Sequence, residues 1–208
     1  AGIVLDELNE FLKPYDLQLP LDLSTSNRAT IGGMVGNNSA GTRSVVYGKT
    51  IDYVQSLTAV LSDGNVVELQ AITTEQVNEF STHGDLEGNC YQIVKQLATE
   101  HATEIRRRYP KILRRVGGYN LDAFVDGSND ARTPPPGPPK RPELAPDCDA
   151  DFNLAHLIVG AEGTLALVLE VCLRLVPRPK TRTLCTIQFH DLLEALGATP
   201  AILEHGPA

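Results

Sequence analysis

Apolar and polar positions change period along this chain, and the changes mark its elements. Ile3, Val4, Leu8, Phe11 and Leu12 recur at helical spacing from the first residues, with no capping residue before Gly2. An extended approach, LPLDLSTSNRAT (19–30), leads into the glycine-dense stretch 31–41. Two β-rich runs, 54–61 and 66–69, flank Ser62-Asp63-Gly64-Asn65, and Asp-Gly between such runs predicts a tight hairpin. Residues 73–80 predict a short helix capped by Thr73 or Thr74, with Glu75 in its first turn. Residues 87–108 predict one long helix with Ile93, Val94, Leu97 and Ile105 on one side. The proline-rich segment 131–146 predicts no regular secondary structure. Order returns at FNLAHLIVG (152–160), followed by a long strand over 164–176 and another over 183–189. A terminal helix starts after Asp191 and must bury Leu192, Leu193, Leu196 and Ile202 against something. Both ends read as cut from a longer polypeptide. The class expected is α+β, with a mixed or antiparallel sheet and flanking helices.

Composition narrows the function. The 208 residues make one large domain or one and a half. A net charge of −8 argues against a general nucleic-acid binder, which needs a basic face. No apolar run approaches the ~18 residues of a membrane span, and the start has no basic segment of a secretory signal. The four cysteines form no C-x-x-C. Cys172 and Cys185 lie in β-type runs, which reads as buried thiols in a reducing, cytoplasmic setting. Asp147, Cys148, Asp149, Asp151 and His156 lack a metal-ligand spacing, so no metal is expected. The sequon Asn37-Asn38-Ser39 carries no weight without a secretory signal.

The glycine stretch carries the strongest chemistry. With Thr30 as N-cap, Gly32 and Gly33 fall in the first turn of a short helix. First-turn amides lack intrahelical partners and the dipole favours anions there, so the loop is either a phosphate or oxyanion cradle or a tight packing turn. Gly48-Lys49-Thr50 is not an NTPase phosphate loop: the required earlier glycine position holds Arg43, and strand-like sequence follows. No G-x-G-x-x-G supports a Rossmann site. Gly160-Ala161-Glu162-Gly163-Thr164 either admits a flat ligand against its backbone or is an ordinary turn. The basic run Arg106, Arg107, Arg108, Lys111, Arg114, Arg115 reads as a solvated helix end, with Arg115 the candidate if it instead anchors an anion. No Ser or Cys nucleophile pairs by spacing with His190 and Asp191.

Three ordered motifs together carry a resemblance: ATIGGMVGNNSAGTRSVVYGKTIDYVQSLTAVLSDGNVVEL (29–69), RRVGGYNL (114–121) and VGAEGTLALVLEVCLRLVPRP (159–179). The chain resembles the FAD-linked oxidase family of vanillyl-alcohol oxidase / p-cresol methylhydroxylase type. Its branch is that of D-lactate, glycolate and D-2-hydroxyglutarate dehydrogenases. The resemblance implies that 1–182 is the C-terminal part of the FAD-binding domain, with the proline-rich insertion 131–146, and that 183–208 begins the substrate (cap) domain. It implies that Thr30, Ile31, Gly32, Gly33, Gly36 and Asn37 line the flavin and its phosphates. Glu162, Gly163, Thr164 and Val168 would approach the adenosine half, and Asp22 and Ser24 would form the approach to the site. Leu21-Asp22-Leu23 replaces the family's Pro-Asp-Pro, Ala161 replaces a serine, and Ala166 and Leu169 replace Gly and Thr.

The implied activity is FAD-dependent oxidation of a D-2-hydroxy acid, with the flavin accepting the hydride. The implied catalytic residues lie outside this chain. FAD would be non-covalent, and weakly held or absent here, because the family's glycine-rich pyrophosphate loop would precede residue 1. Implied partners are the small hydroxy acid, an unspecified electron acceptor and the remainder of the polypeptide, in the cytoplasm with room for peripheral membrane association. The alternative is a non-catalytic binding or structural module that keeps the fold and half the cofactor site.

Overall fold

The computed structural model describes residues 1–112, 114–125, 152–181 and 183–205. The proline-rich segment 131–146 lies outside the described residues. Helix α1 (Leu5–Leu12) buries Leu5 and Leu12, and its Glu7 carboxylate accepts the Val4 N–H. Ile3 and Phe11, expected on the buried face, are exposed; Phe11 lies against Tyr15 instead. The chain continues through β1 (Leu17–Gln18), α2 (Ile31–Asn37) and α3 (Ser44–Tyr47). Leu5, Leu19, Leu21, Ile31, Met34 and Tyr53 close a small core between these elements.

Strands β2 (Val54–Val60) and β3 (Val66–Leu69) form the hairpin expected from Asp63-Gly64. Gly64 takes φ 86°, and the Asp63 carboxylate accepts the Asn65 N–H at 3.0 Å. After β4 (Ala71–Ile72), helix α4 (Thr74–Phe80) is capped by Thr73, whose hydroxyl accepts the Gln76 N–H. The expected long helix is two helices, α5 (Leu86–Glu100) and α6 (Ala102–Arg108), broken at His101 (φ −107°, ψ 14°). Apolar spacing satisfied on both sides hides a one-residue break. Val94 and Ile105 are buried as expected, whereas Ile93 is exposed.

Strand β5 (Phe152–Asn153) pairs with β4, and α7 (Ala155–Ile158) follows. β6 (Leu167–Leu173) pairs antiparallel with β2, giving the sheet order β3-β2-β6. The main core lies on this sheet: Leu57, Ala59, Val67 and Leu69 pack with Val77, Tyr91, Val94 and Val159. Each such buried side chain contributes about 1.5–3 kcal/mol.

The single strand expected over 164–176 is shorter. Thr164 is spent on a turn, its N–H and hydroxyl both donated to the Ala161 carbonyl. Beyond Arg174 the chain leaves the sheet, and β7 (Val176–Pro177) pairs with β1. Alternation survives such a change of sheet, so sequence alone merges the two strands.

Residues 183–189 are not a strand: among the described residues no strand pairs with them, and alternation without a partner does not make a sheet. Cys172 and Cys185 are exposed rather than buried, the first on an edge strand and the second in this irregular segment. Helix α8 (Leu192–Glu204) starts where Asp191 predicts it, with the Asp191 carboxylate accepting the Glu194 N–H at 2.9 Å. Its Leu192 and Leu193 remain 72% and 78% exposed.

Candidate functional site

Thr30 caps α2 as expected: its hydroxyl accepts the Gly33 N–H, and its carbonyl accepts that of Met34. The other first-turn amides are also engaged. Ile31 N–H donates to the Ile3 carbonyl at 2.9 Å, and Gly32 N–H to the Ala1 carbonyl at 2.8 Å. A methyl on Gly32 would sit 3.0 Å from the Ala1 Cβ. Residues 1–4 therefore cover the start of α2, and its amides do not face a cleft. That overturns the anion-cradle expectation at this end, because a donor already paired inside the protein offers nothing to a phosphate.

The other end of α2 is different. Gly160 N–H donates to the Val35 carbonyl at 2.9 Å, and Glu162 N–H to the Gly36 carbonyl at 2.8 Å. The second glycine motif thus docks on the C-terminal end of the first, although some 120 residues separate them in sequence. Three of the five turn residues are left-handed: Gly160 (φ 86°), Glu162 (φ 51°) and Gly163 (φ 76°). A Cβ at Gly160 would touch Asn38 Cβ and the Val116 carbonyl at 3.4 Å, ordinary contact, so its φ is what calls for glycine. Around Gly163 nothing lies within 4 Å of a Cβ position, so the outer lip of the turn is open.

Asn38 closes α2 in the left-handed conformation (φ 50°). It is fully buried and its Oδ1 accepts the Ile51 N–H at 3.1 Å, which fixes the amide orientation; Nδ2 is then buried without a partner. Ser39 extends this seam, its carbonyl accepting both the N–H and the hydroxyl of Thr50.

The Arg-Arg-Val-Gly-Gly-Tyr-Asn segment reaches the same turn. Asn120 Nδ2 donates to the carbonyls of Val159 (2.6 Å) and His156 (3.3 Å), while its Oδ1 accepts from Arg115 at 3.1 Å. Arg115 pairs with Asp122 at 2.5 Å and lies over the Tyr109 ring at 4.9 Å. With side chains only 11% and 14% exposed, this pair leaves Arg115 no role as an anchor for a soluble anion. Arg114 donates to Ser44 Oγ and the Thr42 carbonyl, and buried Lys49 to the Arg115 carbonyl at 2.8 Å. Lys49 is thus a structural tether, in keeping with rejection of an NTPase loop. Burial raises the Tyr109 hydroxyl above its ordinary range, with the Asp122 charge adding to the effect.

The remaining expected site residues scatter around this centre. Val168 sits on β6 opposite Ala59 with its side chain against the core. Asn37 is exposed, its side chain accepting the Ser39 hydroxyl proton at 2.5 Å, and Ser24 is exposed. Asp22 accepts the Thr42 hydroxyl at 3.0 Å and pairs with Arg43 at 3.2 Å. It lines a cavity of about 400 Å³ with Asn9, Lys13, Arg43, Tyr47 and Arg178; none of the other expected site residues does. Cys90 is not an activated nucleophile: burial, then the Glu87 and Asp63 charges, push its thiol up.

Asn38, Asn120, Lys49 and Arg114 were not singled out for these roles by the sequence. An Asn just past a glycine-rich helix is a readable left-handed cap signal. The bonds of Asn120 span up to 39 residues and leave no local trace.

Residues 1–70 match a family described as FAD binding domain. The chain is 36% identical over 204 residues to the D-2-hydroxyglutarate dehydrogenase of Pantoea ananatis and 32% identical over 204 residues to that of Escherichia coli. Each match covers 98% of this chain and 18% of the relative. It is also 23% identical over 196 residues to the D-lactate dehydrogenase of Archaeoglobus fulgidus, covering 94% of this chain and 28% of that protein. The chain therefore spans about a fifth of the length of the hydroxyglutarate dehydrogenases it matches. The FAD-binding match spans α1 and α2, and nearly the whole of this chain aligns with the D-2-hydroxyglutarate dehydrogenases, which supports the FAD-linked oxidase family and its D-2-hydroxy-acid branch.

Proposed function

We propose that this chain is the part of an FAD-dependent oxidoreductase that supports one side of the cofactor, and that the whole protein oxidises a D-2-hydroxy acid. The observation that carries this reading is the docking of the left-handed 160–164 turn on the C-terminal end of α2. The residues present fit part of such a cofactor. The open lip at Gly163 lets an extended group lie against backbone, and Asn38 Nδ2 is a buried donor without a partner in the adjoining seam. Gly163 would meet the cofactor with open backbone, and Gly36, Glu162 and Thr164, whose own bonds close the turn, would shape the surface it lies on. Thr30, Ile31, Gly32 and Gly33 would act through helix placement, since their amides are spent. When bound, FAD supplies the hydride acceptor for turning a 2-hydroxy acid into the 2-oxo acid. This chain's own residues position that acceptor and exclude water from its protein-facing side.

On this reading 1–182 completes an FAD-binding domain and 183–208 opens a substrate domain. The exposed leucines of α8 support that division, because a helix with such a face folds stably only against further protein. Non-covalent FAD, a small hydroxy-acid substrate and a separate electron acceptor follow from the same reading. A cytoplasmic location is supported by free Cys90, Cys172 and Cys185. Among the described residues no helix is long and apolar enough to cross a membrane.

One observation favours a non-catalytic module instead: the start of α2 offers no free donors to a pyrophosphate. Flavin separates the readings. The parent protein should purify with flavin absorbance released by acid precipitation, and anaerobic D-2-hydroxyglutarate or D-lactate should bleach it. The 208-residue chain alone should bind FAD weakly or not at all. A colourless parent that takes up no FAD, or a flavin that no D-2-hydroxy acid bleaches, would overturn the proposal.

A further inference from the structure

We propose that Tyr119 is a positioning residue that sets the 160–164 turn for the cofactor, as a hydroxyl strap over its outer lip. This rests on the reading that the turn faces FAD. Tyr119 Oη lies 3.0 Å from Thr164 Oγ1. Thr164 spends its own hydroxyl proton on the Ala161 carbonyl at 2.5 Å, so Tyr119 donates and Thr164 accepts. The result is a relay, Tyr119 to Thr164 to Ala161, closing the turn across Glu162 and Gly163. Tyr119 is itself held: its carbonyl accepts the Tyr109 hydroxyl at 3.0 Å, and the next residue, Asn120, is anchored under the turn by the Val159 and His156 carbonyls. The Gly-Tyr-Asn segment therefore grips the turn from both sides, Asn120 from the buried side and Tyr119 from the open side.

The grip has a physical purpose. A turn with two left-handed glycines and a left-handed glutamate has many alternative conformations close in energy. The two bonds to Val35 and Gly36 fix its buried edge only. The open edge, where a ligand would meet Gly163 and Thr164, is fixed by the strap. Tyr119 is 44% exposed and its backbone is secured independently, so losing the hydroxyl removes the strap without emptying the core. The strap acts through Thr164 and needs no contact with the cofactor.

The test uses the full-length parent protein, with FAD titrated into apoprotein and followed by flavin fluorescence and visible circular dichroism. Tyr119→Phe should weaken FAD binding by about threefold to tenfold, the worth of one neutral hydrogen bond. It should alter the flavin dichroism while leaving the melting temperature of the apoprotein unchanged. Thr164→Val should do the same and Thr164→Ser should restore wild-type binding. Tyr119→Phe combined with Thr164→Val should cost no more than Thr164→Val alone, because both remove one relay. In the apoprotein, Tyr119→Phe should speed amide exchange at 161–165 and leave β2 and β3 untouched. If wild-type parent binds FAD but Tyr119→Phe binds it equally with an unchanged spectrum, the strap is refuted. If wild-type parent binds no FAD, the cofactor reading itself fails.

Discussion

Replacing Arg115 by alanine should cost far more than replacing Arg107, although both belong to one basic run between Arg106 and Arg115. Arg115 makes a 2.5 Å ion pair with Asp122, a 3.1 Å bond to Asn120 and a stacking contact 4.9 Å from the Tyr109 ring. Its side chain is 11% exposed and that of Asp122 14%, so removing Arg115 takes the facing cation from a carboxylate in a place with little water. Breaking a buried pair in this way costs about 3–5 kcal/mol. Arg107 pairs with Glu104 at 2.9 Å, with side chains 67% and 44% exposed, and Arg108 shares the same glutamate. Exposed pairs of this kind are worth under ~1 kcal/mol. At about 2–4 °C per kcal/mol for a chain of this size, Arg115→Ala should lower the thermal midpoint by about 6 °C or more, and Arg107→Ala by less than about 4 °C. Scanning calorimetry of the 208-residue chain, repeated in 1 M salt, reads the difference. High salt should erase the small Arg107 effect and leave the Arg115 effect. Arg115→Met with Asp122→Leu should cost less than Arg115→Ala, since both charges leave the interior together. Equal losses for Arg115→Ala and Arg107→Ala, or a salt-sensitive Arg115 effect, would refute the assignment of Arg115 to the interior.

Two further outcomes follow from local geometry. Gly41→Ala should destabilise the chain by about 3 kcal/mol, since the new Cβ would lie 2.3 Å from the Asp22 carbonyl oxygen and backbone must move; Gly64→Ala, in open space, should cost only the ~1 kcal/mol of its φ of 86°, as urea unfolding would show. Burial pushes the Tyr91 hydroxyl up from 10.0 to about 12, so the folded state holds this proton where the unfolded chain has lost it. Its stabilisation is whole below pH ~10 and is lost as pH rises towards 12; alkaline midpoints that Tyr91→Phe leaves unmoved across that window would contradict this.

What the sequence made legible was local. The hairpin was readable because Asp63-Gly64 sits between two alternating runs, and the caps Thr30, Thr73 and Asp191 because a cap acts within three residues of itself. The errors lie where local signals outlive the structure they usually accompany. Alternation continues from β6 through Leu175 into β7 although the chain changes sheets, and it continues over 183–189 although, among the described residues, no strand pairs with it. The first-turn amides of α2 illustrate the same limit at the site. Their availability depends on whether another segment reaches them, and residues 1–3 do, through two carbonyls that no motif announces. Arg115 reads from sequence as part of a solvated helix end or as the run's candidate anion anchor; only the fold reveals Asp122 and Tyr109 around it.

The site itself follows from how its two glycine motifs differ in the conformations they demand. Gly32 and Gly33 sit in ordinary helical backbone, where glycine is a cost relative to alanine of roughly 1 kcal/mol each. That cost is offset by close packing at Gly32, where Ala1 leaves no room for a larger side chain. The 160–164 turn is different. Gly160 takes a left-handed φ with Asn38 and Val116 at contact distance, Glu162 holds a left-handed φ without being glycine, and Gly163 is left-handed with nothing around it. The bond to Gly36 explains how Glu162 is held, and the left-handed φ alone accounts for glycine at 160 and 163, as it does at Gly64. What sets Gly163 apart is its place beside the end of α2, where open backbone can meet a ligand at close range. The first glycine motif therefore builds the platform and the second presents the backbone, which is why the C-terminal end of α2, rather than its start, is where this chain meets its cofactor in the proposed reading.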